Sequence, residues 1–133
     1  MPGTLPSLFV SHGAPDILTS APEAVEAMRG LAADIPRPES ILIASAHWIT
    51  QPVGLTGGGA LETIHDFSGF TPELYTQQYP AQGDEALSLK TRSLLESTGI
   101  EVHLNAERGL DHGAWIPLSI MFPGADIPVV QLS

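Results

Sequence analysis

Five histidines and no cysteine limit any metal held by this chain to imidazole and carboxylate ligands. Two of the histidines occupy matching places. In "SLFVSHGAPDIL", residues 7–18, an apolar run ends at Ser11 and delivers His12 into a turn of Gly13, Ala14 and Pro15. In "SILIASAHWIT", residues 40–50, another apolar run ends at Ser45 and delivers His47. His112 sits in the glycine-flanked turn "GLDHGAW", and His65 in "ETIHDF", beside Asp66 and Phe67. A neutral imidazole can ligate a divalent cation, and an unligated one can carry a proton near neutral pH. One histidine among glycines is ordinarily a capping or hydrogen-bonding residue. The paired strand-end positions of His12 and His47 are what favour a shared metal, with His112 on the same rim and His65 as pocket lining. His103, inside the alternating "IEVHL", fits a surface or core position. No HExxH, P-loop, GxGxxG or GxSxG accompanies them, and Ser11 and Ser45 lack the nucleophile-elbow pattern.

The elements that must position these residues alternate in type. Residues 7–11 read as a short buried strand, β-branched and aromatic and ended by Gly and Pro. A helix follows, with Ser20 and Glu23 at the spacing of a capping box, Pro22 in the first turn, and Ala24, Val25, Met28, Leu31 and Ala32 on one face. Residues 40–45 form a second buried strand, and "PVGLTGGG" gives a third. Tyr75 and Tyr79 belong to a short helix or turn starting near Pro72. A helix from Asp84 to about Thr98 carries Leu87, Leu94 and Leu95 and is closed by Gly99. Residues 100–104 are a strand, "AWIPLSIMF" a buried helix entered through Pro117, and "IPVVQLS" a last strand. This order predicts an α/β fold, a mostly parallel sheet flanked by helices, in which both strand-end histidines project from the carboxyl edge where such sheets bind ligands.

At 133 residues the chain is one domain at most. Its 15 acidic against 5 basic residues, a net charge of -10 without any Lys/Arg cluster, oppose a nucleic-acid or anionic-membrane partner. No apolar run approaches the roughly 20 residues of a membrane span, and the N-terminus lacks a signal-peptide pattern, so the cytoplasm is the expected compartment. Charged residues are only 15%, a thin surface that suits a chain partly covered by something else. The sequence stops at "PVVQLS", in what reads as a buried central strand. The expectation is a domain spanning 1–133 that is the N-terminal part of a larger fold, truncated at its C-terminus. Ile127, Val129, Val130 and Leu132 would then be covered by a missing C-terminal half, a second chain or a homo-oligomer contact; the alternative is a plain C-terminal edge strand.

Four stretches taken together, "SHGAPDIL", "SAHWIT", "ETIHDFSGFTPELYTQQYPAQG" and "RGLDHGAWIPLSIMFPGADIPVVQLS", resemble the extradiol ring-cleaving dioxygenases of the DOPA-dioxygenase type, within the LigB-like superfamily. The resemblance runs in order over nearly the whole chain. It implies a non-haem Fe(II) enzyme that opens a small aromatic diol with O2, although Zn2+ can occupy the same site. His12 and His47 match the family's two N-terminal metal ligands, and His112 its active-site histidine, suited to take and return a catechol proton. The resemblance also implies that the remaining ligand lies in chain beyond "PVVQLS". His65, Trp48 and Trp115 are candidates for the substrate side, with Phe67 and Phe70 beside them; ordinary core packing is the competing reading for each aromatic. Two other classes stay open: a binding or scaffold protein on the same fold, with or without Zn2+, and a zinc-dependent hydrolase.

Overall fold

The computed structural model describes residues 3–133. A short helix, α1 (Ile17–Ser20), runs into α2 (Pro22–Asp34), and the strands β1 (Ile41–Ala44), β2 (Val53–Thr56) and β3 (Gly59–Ala60) follow. A 3₁₀ turn at Pro72–Thr76 leads to β4 (Gln82–Gly83), α3 (Glu85–Glu96), β5 (Val102–Asn105), α4 (His112–Met121) and β6 (Val129–Leu132).

The α/β class is as the sequence predicts, but the sheet is mixed rather than mostly parallel. β1 and β6, β2 and β5, and β4 and β6 pair in parallel, whereas β2 meets β6 and β3 meets β4 antiparallel. The reason lies between Ala44 and Val53. That connection contains no helix, and parallel neighbours need a crossover of about a dozen residues or more. The chain therefore turns back, and β2 runs against β6.

Successive residues of β6 serve opposite faces, as the period of 2 requires. Val129 joins a cluster with Ile17, Val25, Met28, Leu110, Trp115, Ile116 and Leu118, which seats α1, α2 and α4 on one face. Val130 joins Leu55 and Val102 on the other, where Leu87 and Leu95 of α3 pack. The last strand thus has neighbours within the chain: Ile127, Val129 and Val130 are buried, and Leu132 is half-buried. The expectation that something external must cover these four residues is corrected.

The uncovered surface lies elsewhere. Residues 7–11 form no strand; Leu8 and Phe9 are exposed, Phe9 fully. An open cleft of about 930 Å³ separates Leu5–Gly13 from β1, so the apolar run has no sheet edge within hydrogen-bonding reach. Among the described residues β1 pairs only with β6, which leaves its other edge facing this cleft.

Two helix starts also differ from the sequence reading. Ser20 does not cap α2, whose N-cap is Ala21; its Oγ donates to Asp16 instead. Pro117 lies inside α4 rather than at its entrance, and the helix begins five residues earlier behind Asp111. The start of α3 is as predicted. Asp84 accepts the N–H of Leu87 at 2.9 Å and the hydroxyl of Ser40, tying α3 to the approach of β1. Asp84→Ala removes a helix cap and should cost about 1 kcal/mol, read as a thermal midpoint lowered by a few degrees. An unchanged midpoint would show that water replaces the carboxylate without loss.

Candidate functional site

Three loops bring their histidines together. His12 follows the extended N-terminal run, His47 follows β1, and His112 opens α4. His12 Nε2 and His47 Nε2 stand 2.9 Å apart. The ring of His112 lies 4.0 Å from that of His47 and 5.0 Å from that of His12, centre to centre. One ligand nitrogen from each residue falls within 4.8 Å of the other two. His47 is exposed, His12 half-buried and His112 buried, so the cluster has a closed back and an open front, and His12 also lines the cleft beside β1.

The donor set fits a divalent metal. Two nitrogens bound to one ion at about 2.0–2.1 Å stand roughly 2.9 Å apart at a right angle and about 3.3 Å apart at a tetrahedral one, and the His12–His47 separation of 2.9 Å matches the first and needs only a small opening for the second. Burial lowers the pKa of His12, and the charges that His112 and His47 would carry lower it further, against smaller opposing effects of Asp111 and Asp66. A lowered pKa keeps the ring neutral and its lone pair available. Only well below the ordinary histidine value of 6.5 do protons compete for the His12 nitrogen. Zinc affinity should hold above about pH 7 and fall on the order of tenfold per pH unit for each ligand that protonates as the solution is acidified. Calorimetric titration at a series of pH values measures this, and an affinity that stays flat to pH 5 would exclude the histidines as ligands.

Behind the histidines lies a polar network that the sequence does not advertise. Asp111 is fully buried. Its carboxylate accepts from Ser45 Oγ at 2.7 Å, Gln131 Nε2 at 2.5 Å, the N–H of Ala114 at 3.2 Å and Arg108 Nη2 at 3.3 Å. Gln131 returns a bond, its Oε1 accepting the N–H of Asp111 at 3.2 Å. Ser45 Oγ accepts the N–H of His47 at 3.2 Å. The turn carrying His47, the cap of α4 and the middle of β6 are thereby joined through one carboxylate. Gly113 completes the fit, since a Cβ there would come within 2.3 Å of Ser45 Oγ and 2.8 Å of His47 Cδ2.

On the other side of His112, Asp66 Oδ1 accepts the His112 backbone N–H at 3.0 Å and lies 2.7 Å from its Nδ1. Burial works to raise the pKa of Asp66, but the hydrogen bonds from His112, a bond from its own backbone and the charge of His112 together outweigh it, and the net shift is downward. Phe67 meets the His112 ring edge-on at 5.5 Å and stacks at 5.0 Å on Tyr75.

The remaining predicted residues are placed as follows. His65 is one ring removed from the cluster, with Phe67 at 6.0 Å and Trp115 at 5.6 Å, and its Nε2–H donates to the Gln77 carbonyl at 2.8 Å. Trp115 is buried in the core and donates its indole N–H to the Ile64 carbonyl at 2.8 Å. Trp48 is buried between Gly54 and the guanidinium of Arg108, which sits 4.5 Å over its ring. His103 is exposed on β5. Asp111, Asp66, Ser45 and Gln131 escape sequence reasoning; the one available signal for Asp111 is its place as an acidic N-cap ahead of "HGAW".

A family model described as "Catalytic LigB subunit of aromatic ring-opening dioxygenase" matches residues 6–133. A protein of Escherichia coli K12 named 4,5-DOPA dioxygenase extradiol is 42% identical over 130 residues, covering 97% of this chain and 47% of that protein. A Beta vulgaris protein of the same name is 39% identical, covering 96% of this chain and 49% of its own. A crystal structure of an uncharacterized protein from E. coli K12 superposes with a TM-score of 0.63 at 40% identity, covering 83% of this chain and 39% of that one. The chain spans about half the length of the curated relatives it matches.

Proposed function

Because the chain belongs to the family of the catalytic LigB subunit of aromatic ring-opening dioxygenases, we propose that it takes part in extradiol, O2-dependent opening of a DOPA-like catechol ring. The observation that carries the proposal is the convergence of His12, His47 and His112 on one rim of a fold whose relatives are named 4,5-DOPA dioxygenase extradiol. In this reading His12 and His47 hold Fe(II), in a site that Zn2+ could also fill, and the chain is the N-terminal part of the domain. Iron bound there would supply a common site for catechol and O2 and a path for electron density between them.

The chain's own residues supply the rest. His112 takes a proton from a substrate hydroxyl at Nε2 and later returns it, a role open to a neutral imidazole held beside the His12–His47 pair. The closed back formed by Asp111, Ser45 and Gln131 keeps bulk water from that side. Phe67 and His65 face the substrate ring. Trp115 supports His65 from the core, and Trp48 contributes by fixing the turn after His47.

The test is anaerobic loading of the chain with Fe(II), alone and together with the remaining length its relatives possess, followed by DOPA and O2. A yellow ring-opened product with stoichiometric O2 uptake supports the proposal; a complete, iron-loaded protein that forms none overturns it. Three imidazoles are also the donor set of zinc hydration chemistry, and ester hydrolysis by the zinc form without O2 consumption would favour the hydrolase reading. Failure to retain either metal would favour a binding or scaffold role.

A further inference from the structure

A histidine that accepts a proton from substrate must present a bare nitrogen, and the two tautomers of imidazole differ in which nitrogen that is. In His112 the choice is constrained from outside the cluster. Asp66 Oδ1 lies 3.0 Å from the His112 backbone nitrogen and 2.7 Å from Nδ1. An oxygen that accepts the backbone N–H offers a lone pair, not a proton, to the neighbouring ring nitrogen. Two bonds from one oxygen to one residue also fix the ring relative to the start of α4. The Phe67 ring, nearly perpendicular to His112 at 5.5 Å, limits rotation about the remaining angle. Asp66 and Phe67 are adjacent in sequence, so a single loop delivers both restraints.

We propose that Asp66 is a positioning residue that holds His112 as the Nδ1–H tautomer, with Nε2 bare and directed toward His12 and His47. The inference rests on the role given to His112 above. It adds a direction to the chemistry: His112 begins as a proton acceptor at Nε2, where the substrate O–H bond breaks and an N–H bond forms. The resulting imidazolium keeps its Nδ1–H bond to Asp66 until the proton is returned. The opposite tautomer would present an N–H to the substrate hydroxyl and could not begin this sequence.

Long-range ¹H–¹⁵N correlation of the ¹⁵N-labelled 133-residue chain reads histidine tautomers directly. The expected result is His112 as Nδ1–H in the native chain. Asp66→Asn keeps an acceptor oxygen and should preserve that state; Asp66→Ala should shift His112 toward Nε2–H while the backbone spectrum stays dispersed. Nε2–H in the native chain overturns the proposal, as does an unchanged tautomer in a folded Asp66→Ala variant. If Asp66→Ala does not fold, the native spectrum alone decides. None of these readings involves catechol or O2, so failure of ring opening and failure of the tautomer assignment are distinguishable. In an active preparation Asp66→Ala should lower kcat about 10- to 100-fold, the range for partners that orient a site residue, with KM little changed. An equal loss in KM alone would mean that Asp66 serves binding instead.

Discussion

Asp111→Ala is expected to unfold the chain at room temperature or to leave it about 3–5 kcal/mol less stable, the range for removing one partner of a buried charged pair. The carboxylate is fully buried and is met by Ser45, Gln131, Arg108 and the N–H of Ala114. Deleting it leaves the Ser45 hydroxyl, one Gln131 N–H and the first turn of α4 without their acceptor in a region with little access to water. Each buried donor left unpaired costs about 1–3 kcal/mol. Asp111→Asn discriminates hydrogen bonding from mere space filling. Its amide oxygen can still serve Ser45, but its NH2 group confronts Gln131 Nε2, also a donor. Gln131 cannot flip to relieve this without surrendering the N–H of Asp111 that its Oε1 accepts. The Asn variant should therefore remain clearly destabilised despite its near-identical volume. Urea unfolding followed by circular dichroism measures both, and an Asn variant as stable as the parent would show that the network is not the support described.

His12→Ala and His47→Ala are expected to do the reverse, leaving the fold nearly intact while abolishing metal binding. His47 is exposed and His12 only half-buried, so each substitution should change stability by no more than about 0.5–1 kcal/mol. Loss of metal affinity should exceed about 100-fold, beyond the 10- to 100-fold typical of outer-sphere partners, because each substitution removes one nitrogen of the pair that stands 2.9 Å apart. His103→Ala, on the exposed side of β5, is the matched control and should bind as the parent does. Titration with Zn2+ or the visible spectrum of the Co2+ form reads the difference. Equal affinity in parent and both variants would remove the metal from this rim.

How far the sequence discloses this architecture depends on the kind of residue involved. His12 and His47 can be grouped from the sequence because each sits in a turn that ends an apolar run, and His112 joins them through the glycine-flanked turn that opens α4. The helices over 22–34 and 85–96 follow from apolar periodicity and, for the latter, from Asp84. Periodicity is silent about strand direction. A short helix-free link between Ala44 and Val53 decides that β2 runs against β6, and link length is a weak signal beside hydrophobic pattern. Residues 7–11 carry the composition of a strand, yet a strand is defined by its neighbours, and here the nearest edge lies across a cleft. The support of the site is least legible. Asp66 and Asp111 look like ordinary loop acids until the fold brings His112 against one and Ser45 and Gln131 against the other.

The pairing of β1 with β6, from Ile41 opposite Val129 to Ala44 opposite Leu132, joins segments nearly ninety residues apart in the chain. Contacts so distant in sequence carry a large loop-closure cost and form slowly relative to helices and local turns. Gln131, the partner that holds Asp111 in place, lies on β6. The geometry of the histidine cluster therefore depends on a pairing that local folding alone cannot supply. A ribosome-bound chain not yet extended through β6 would expose all three histidines in order yet would not hold them in register. The histidine rim is in this way coupled to the pairing of β1 with β6, and a chain lacking that pairing offers an ion only unregistered imidazoles.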